Sequence, residues 1–226
     1  MSTELHTTIS NILKMPYWQN QNARSGKTKF GHEEAVADEF RKLFTEDFRI
    51  NYPGINKSLL KKWAETCDDS QLASVAANMP VGSFILQPGG SQGFPDILVR
   101  DFNGRFVAIE CKSGKNGVTP MWNDNLPMDE TIYILSSGKA QATTVFMGKD
   151  VITQDERNLM KKQAEEIATI VKKYKGLMSS VTNNGYGFIQ KSRKQHFQEG
   201  GAAKTNYFTH VKRQTCEFNT LDYAKQ

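Results

Sequence analysis

The stretch FPDILVRDFNGRFVAIECKSGK, residues 94–115, joins two short apolar runs through a polar turn and places acids where the runs meet polar sequence. Strand alternation over RFVAIECK puts Phe106, Ala108, Glu110 and Lys112 on one face, and Val107, Ile109 and Cys111 on the other. Glu110 and Lys112 then project side by side, roughly 7 Å apart along the strand. The position of Asp96 depends on the turn. A two-residue Asn103-Gly104 loop would pair Phe102 with Arg105 and leave Asp96 facing Cys111. A three-residue loop, Phe102-Asn103-Gly104 with Gly104 left-handed, pairs Asp101 with Arg105 and sets Asp96 opposite Glu110. We expect the second register, or a bulge that compensates for the first.

Two carboxylates facing across a strand pair make a hard-oxygen pocket suited to Mg²⁺, which takes one or two carboxylates plus water and phosphate oxygens. The Cys111 carbonyl lies between Glu110 and Lys112 and is a candidate third ligand. Lys112 can orient or deprotonate a water, or steady charge on a phosphate, and a bound cation would acidify that water. Without a cation the two acids repel and one pKa rises. The plain alternative is a surface hairpin with an incidental Lys112–Glu110 pair.

The residues before the acid add to the pattern. QPGGSQGFPDILV…VAIECKSGK resembles the P-D…(D/E)-x-K signature of type II restriction endonucleases in the PD-(D/E)XK nuclease superfamily. The loop SGKNGVTPMWNDNLP and the run TIYILSS after it resemble the same family, so the likeness spans roughly residues 30–152. It implies an α/β fold with a central mixed sheet flanked by helices, and Mg²⁺-dependent cleavage of double-stranded DNA at a short sequence. Carried over by position, Asp96 and Glu110 become metal ligands and Lys112 the catalytic lysine. The resemblance also implies a homodimer, a companion DNA methyltransferase in the host, and a prokaryotic cytoplasmic setting.

Outward from this stretch, Val36, Ala37, Phe40, Leu43 and Phe44 repeat at helical spacing, and further helices are expected over 59–67 and 71–78. Glu33 shares the apolar stripe of the first helix, whereas Glu34 sides with Asp38 and Arg41. An acid heading an apolar stripe needs a partner or stays costly. Family members often carry a helical glutamate that reaches the metal site through water, and Glu33 is the candidate here. The competing reading is an acid placed in a helical first turn by the macrodipole. Short β-rich runs follow at GSFILQPGG, DILVR, RFVAIECK, TIYILSS and TTVFMGKDV. Thr153 and Glu156 form a capping box for a long helix that should stop near Gly176. The expected organisation is an arm at 1–29, a nuclease core at 30–176 with its sheet within 82–152, and a basic, irregular extension at 177–226.

Charge is uneven. Residues 151–226 hold 13 Lys and Arg against 7 Asp and Glu, while residues 1–150 hold 16 against 17. A basic part interleaved with aromatics, Asn and Gln suits a polyanion. Candidate DNA contacts are Gln92, Lys115, Asn116, Asn123, Arg193, Lys194, Lys204 and Asn206, with Asn183, Asn184, Gln195, Gln198, Lys212 and Arg213 behind them. Arginine reads guanine and Asn or Gln reads adenine, so 8 Arg against 21 Lys leans toward an A·T-rich target. A palindrome calls for a two-fold dimer, with the helices at 153–175 and 59–67 as candidate interfaces.

No apolar run reaches the ~18 residues of a membrane span, and MSTELHTTIS has no signal-peptide pattern. Three separated cysteines fit neither a disulfide framework nor a CxxC zinc site. Two rivals remain: a repair or recombination nuclease of the same fold, and a non-catalytic DNA-binding module. The second has no need for Asp96, Glu110 and Lys112 together. The four histidines form no His-Asn-His arrangement.

Overall fold

The computed structural model describes residues 3–17, 31–47, 55, 57–66, 68–90, 93–114, 117–120, 122, 126–179 and 205–226. Six strands form one mixed sheet in chain order: Thr45–Glu46 (β1), Ser83–Leu86 (β2), Ile97–Arg100 (β3), Phe106–Gly114 (β4), Ile132–Ser137 (β5) and Ala142–Met147 (β6). β1 with β2 and β4 with β5 are parallel, and the other neighbours are antiparallel. Five of the strands sit on the expected β-rich runs. The two-residue β1 was not foreseen, being too short to show a period.

Helices cover both faces, which is why the strands are apolar on both sides. On one face lie Glu4–Leu13 (α1), Gly31–Arg41 (α2) and Arg213–Lys225 (α6). Leu5, Ile9, Ile12, Val36, Phe40 and Ala224 pack there against Ile97, Val99, Val107, Ile109, Ile132 and Val145. On the other face, Lys57–Thr66 (α3) and Ala73–Ala76 (α4), linked through a 3-10 turn at Asp69–Leu72, cover Ile85, Leu98, Phe106 and Ala108. Further along that face Tyr133, Leu135 and Phe146 are covered by Phe208 and, in part, by Trp122 and Tyr207. The long helix Gln154–Ser179 (α5) opens on the expected box: Glu156 N donates to Thr153 Oγ1, and Thr153 N donates to Glu156 Oε2. No helix among the described residues is long and apolar enough to cross a membrane.

Three expectations change. Part of the supposed arm is α1, whose Leu5, Ile9 and Ile12 are buried in the core. Thr3 caps that helix through the His6 N–H and donates its hydroxyl to the Ala224 carbonyl of α6, so the two ends of the chain are joined. The extension is not irregular throughout, because residues 213–225 form α6 against β6 and α1. Gly176 does not stop α5, which runs on to Ser179.

The hairpin between β3 and β4 has the three-residue turn. Asp101 N donates to the Arg105 carbonyl (2.9 Å), Gly104 N donates to the Asp101 carbonyl (3.0 Å), and Gly104 has φ +82°. Ile97 pairs with Ile109 and Arg100 with Phe106. The buried Asp101 carboxylate accepts the Asn103 and Arg105 N–H groups at 2.9 Å and Arg105 Nε at 3.1 Å. Arg105 in turn donates to the Tyr223 carbonyl of α6 and stacks on the Tyr223 ring. Removing that carboxylate orphans two N–H groups at once, so Asp101→Ala should lower unfolding free energy by about 1–3 kcal/mol. Urea denaturation measures it: the midpoint should fall with the slope unchanged, and a shift under about 0.5 kcal/mol would mean the carboxylate does not hold the turn.

Candidate active site

β4 is buried from Phe106 to Ile109 and only partly buried at Glu110, Cys111 and Lys112, so the strand emerges from the core at the Glu-Cys-Lys step. Continuing the β3–β4 register places Asp96 opposite Glu110, on the face shared with Leu98 and Ala108. It also brings Pro95 opposite Cys111. Proline has no N–H, so it cannot give the Cys111 carbonyl its ladder bond, and the ladder ends there. The Cys111 N–H is taken by the Asp96 carboxylate at 2.6 Å. A Pro-Asp pair at a strand start thus does two things: it leaves a carbonyl without its strand donor and it ties an acid to the neighbouring strand.

Lys112 Nζ donates to Glu110 Oε1 at 2.8 Å and lies 5.5 Å from the centre of the Trp122 ring. Trp122 meets Tyr133 edge-on at 4.8 Å, and Tyr133 is the β5 residue paired with Glu110. The other Glu110 oxygen, Oε2, is buried and has no hydrogen-bond partner among the described residues. A buried carboxylate oxygen left without a donor is costly unless something cationic completes it.

Glu33 approaches from α2. Gln87 Nε2 donates to Glu33 Oε2 at 3.0 Å, and Gln87 N donates to the Asp96 carbonyl at 2.7 Å. Gln87 has φ +46°, a conformation uncommon for a residue other than glycine. Glu34 turns away and pairs with Arg41 at 2.7 Å. Asp96, Glu110 and Glu33 therefore share one electrostatic environment. Burial, then Glu110, then Glu33 push the Asp96 carboxyl up to about 8, against the opposing pull of the Cys111 N–H and Lys112. Burial also raises Glu33, with the Gln87 hydrogen bond acting against it. The Cys111 thiol, packed toward the α2 side, is pushed well up by burial and by the same acids, so it stays protonated.

Among the described residues no three His, Cys, Asp or Glu side chains converge as a ready-made metal cage. The donor set still fits a hard dication of the kind held by two carboxylates, water and substrate oxygens. Its grounds are the Glu110 oxygen left without a donor among the described residues, and the burial, joined by the neighbouring acids, that raises Asp96. Of the DNA-contact candidates, Asn206 is described, and its Oδ1 accepts the Phe208 N–H, which shapes a turn. Arg213 is engaged with Glu217 and the Phe208 carbonyl. Gln92, Lys115, Asn116, Asn123, Asn183, Asn184, Arg193, Lys194, Gln195, Gln198 and Lys204 lie outside the described residues. Sequence reading passed over Gln87 and Trp122. Neither carries a motif, and only the fold brings them to the acids.

The raised Asp96 pKa has a consequence for the cation-free protein. The unfolded chain releases this proton in the ordinary carboxylate range, whereas the folded chain keeps it up to about 8. Across that window the folded state binds more protons, so stability falls as pH rises. Asp96→Asn should melt higher than the unsubstituted protein in EDTA, with the gap widening from pH 5 to pH 8.5. A gap that stays constant with pH would mean Asp96 titrates normally. No family model, no curated protein and no solved structure matches the chain.

Proposed function

We propose that this chain is a Mg²⁺-dependent endonuclease of the type II restriction kind, built on a PD-(D/E)XK core and acting on double-stranded DNA. One observation carries the reading. Asp96, Glu110 and Lys112 share one sheet face where β4 leaves the core, and a buried Glu110 oxygen has no partner there among the described residues.

In this reading Asp96, Glu110 and the Cys111 carbonyl would hold the cation. The bound cation would polarise the phosphorus centre and acidify a water. The chain's own groups do the rest. Lys112 has three donors and gives one to Glu110, so the others remain for a water or the phosphate. Trp122, itself packed on Tyr133, covers one side of that lysine, which strengthens its electrostatic reach. Glu33, held by Gln87, orders solvent near the acids. The basic C-terminal third neutralises phosphates, and two copies acting on a palindrome would cut both strands.

Digestion of plasmid and phage DNA by purified protein tests this. Discrete fragments are expected with Mg²⁺ and none with EDTA. Asp96→Ala, Glu110→Ala and Lys112→Ala should each lower the rate at least 10³-fold, about 4 kcal/mol of barrier, with the fold retained by circular dichroism. A smear dependent on Asp96 would mean a nuclease that reads ends or structure. Salt-dependent binding with no cutting under any cation would leave a binding module and overturn the catalytic reading.

A further inference from the structure

A cavity beside the edge strand β6 plays no part in the chemistry of the acids on β3 and β4. Its volume is about 310 Å³, near the lower end of the roughly 300–1,000 Å³ typical of ligand sites. Val145, Phe146 and Val151 give it apolar lining, and the Tyr207 ring lies 5.0 Å from that of Phe146. The rest comes from Asp150, Glu156 and the start of α6 with the turn before it. The candidate active site is a separate place. Phe146 stacks on Tyr133 at 5.6 Å, and Tyr133 in turn is the residue paired with Glu110.

Hydrogen-bond accounting says what fits the cavity. Its acids are already engaged. Asp150 Oδ2 accepts the Met147 N–H at 3.1 Å, and Oδ1 accepts Asn219 Nδ2 at 2.9 Å. Glu156 Oε2 accepts the N–H and the hydroxyl of Thr153, and Arg213 is paired with Glu217 at 2.7 Å. The uncommitted groups are donors. The Lys212 ammonium and the Thr205 and Tyr207 hydroxyls have no hydrogen-bond partner among the described residues. Burial, and then Cys216, pushes Tyr207 up to about 12, so its hydroxyl keeps the proton. His210 Nδ1 accepts the Lys212 N–H at 3.3 Å, which puts the proton of the neutral ring on Nε2. Helix α6 opens with no acid in its first turn and no side-chain cap, so its positive end also favours negative charge.

A surplus of donors calls for an acceptor-rich ligand, and the Tyr207 and Phe146 rings call for a planar one. An oxyanion alone would leave most of the volume empty. We propose that this cavity binds a nucleoside monophosphate, with its phosphate at Lys212 and its base against Tyr207 and Phe146. A carboxylate offers about four acceptor sites and Asp150 uses two, so it can also take the exocyclic amino group of a base. The charges of Asp150 and Glu156 oppose the phosphate, and Lys212 with the end of α6 has to outweigh them. The proposal rests on the lining of this cavity and does not depend on the nuclease reading.

Calorimetric titration of the full chain with dAMP in EDTA tests it, independently of any cleavage. Saturable one-to-one binding is expected, with a dissociation constant below about 1 mM. Inorganic phosphate and deoxyadenosine should each bind at least tenfold more weakly. Lys212→Ala, at an exposed position, should weaken dAMP at least tenfold with the melting midpoint of the free protein unchanged. Lys112→Ala should bind dAMP as the unsubstituted protein does. A 5′-phosphorylated single-stranded oligonucleotide distinguishes the source: binding that needs Lys212 would make the ligand a strand end, and binding of dAMP alone would make it a free nucleotide. No saturable dAMP binding, phosphate binding as tightly as dAMP, indifference to Lys212→Ala, or loss in Lys112→Ala would each overturn the proposal.

Discussion

The register of one hairpin decides whether this chain has a site at all. Side chains alternate across a strand, so a slip of one residue between β3 and β4 would carry Asp96 from the face of Glu110 and Lys112 to the face of Cys111. The register is held by the Asp101 carboxylate, which gathers two backbone N–H groups and the Arg105 guanidinium around Gly104. Arg105 then reaches α6, and α6 reaches α1 through Thr3. The two ends of the chain are thereby tied to the turn that aligns the acids.

Around that alignment the structure accepts electrostatic stress. Asp96 and Glu33 are both raised by burial and by neighbouring acids, and Glu110 keeps a buried oxygen without a donor among the described residues. A sheet optimised for stability alone would place apolar residues there, as it does one turn of the pleat earlier at Ala108 and Leu98. Stress concentrated at a single strand end, with a lysine and a tryptophan beside it, is the ground for the proposed cation and phosphate site.

Much of this was legible in the sequence because the signals are local. The period of two over RFVAIECK, the Asp-Phe-Asn-Gly turn and the capping box at Thr153 each act within a few residues. The choice of Glu33 over Glu34 followed from helical spacing, and Glu34 does face Arg41. What was missed depends on distant partners. Leu5, Ile9 and Ile12 sit among threonines and a histidine, so the apolar stripe of α1 is thin until α6 and the sheet cover it. Helix α6 has little amphipathic pattern because Thr220 and Ala224 are its buried residues. Gln87 acquires its place beside Glu33 from a left-handed backbone that no propensity announces. Gly176 misled because an exposed helix can run through a glycine at a modest cost of about 1 kcal/mol.

The central claim is that Asp96 and Glu110 form one cation site. Calorimetric titration of Mg²⁺, and of Mn²⁺ as a tighter-binding probe, into the purified protein tests it most directly. Saturable binding is expected, lost in Asp96→Asn and in Glu110→Gln while both variants remain folded. Binding unchanged in either variant, or no binding at millimolar cation, would contradict it.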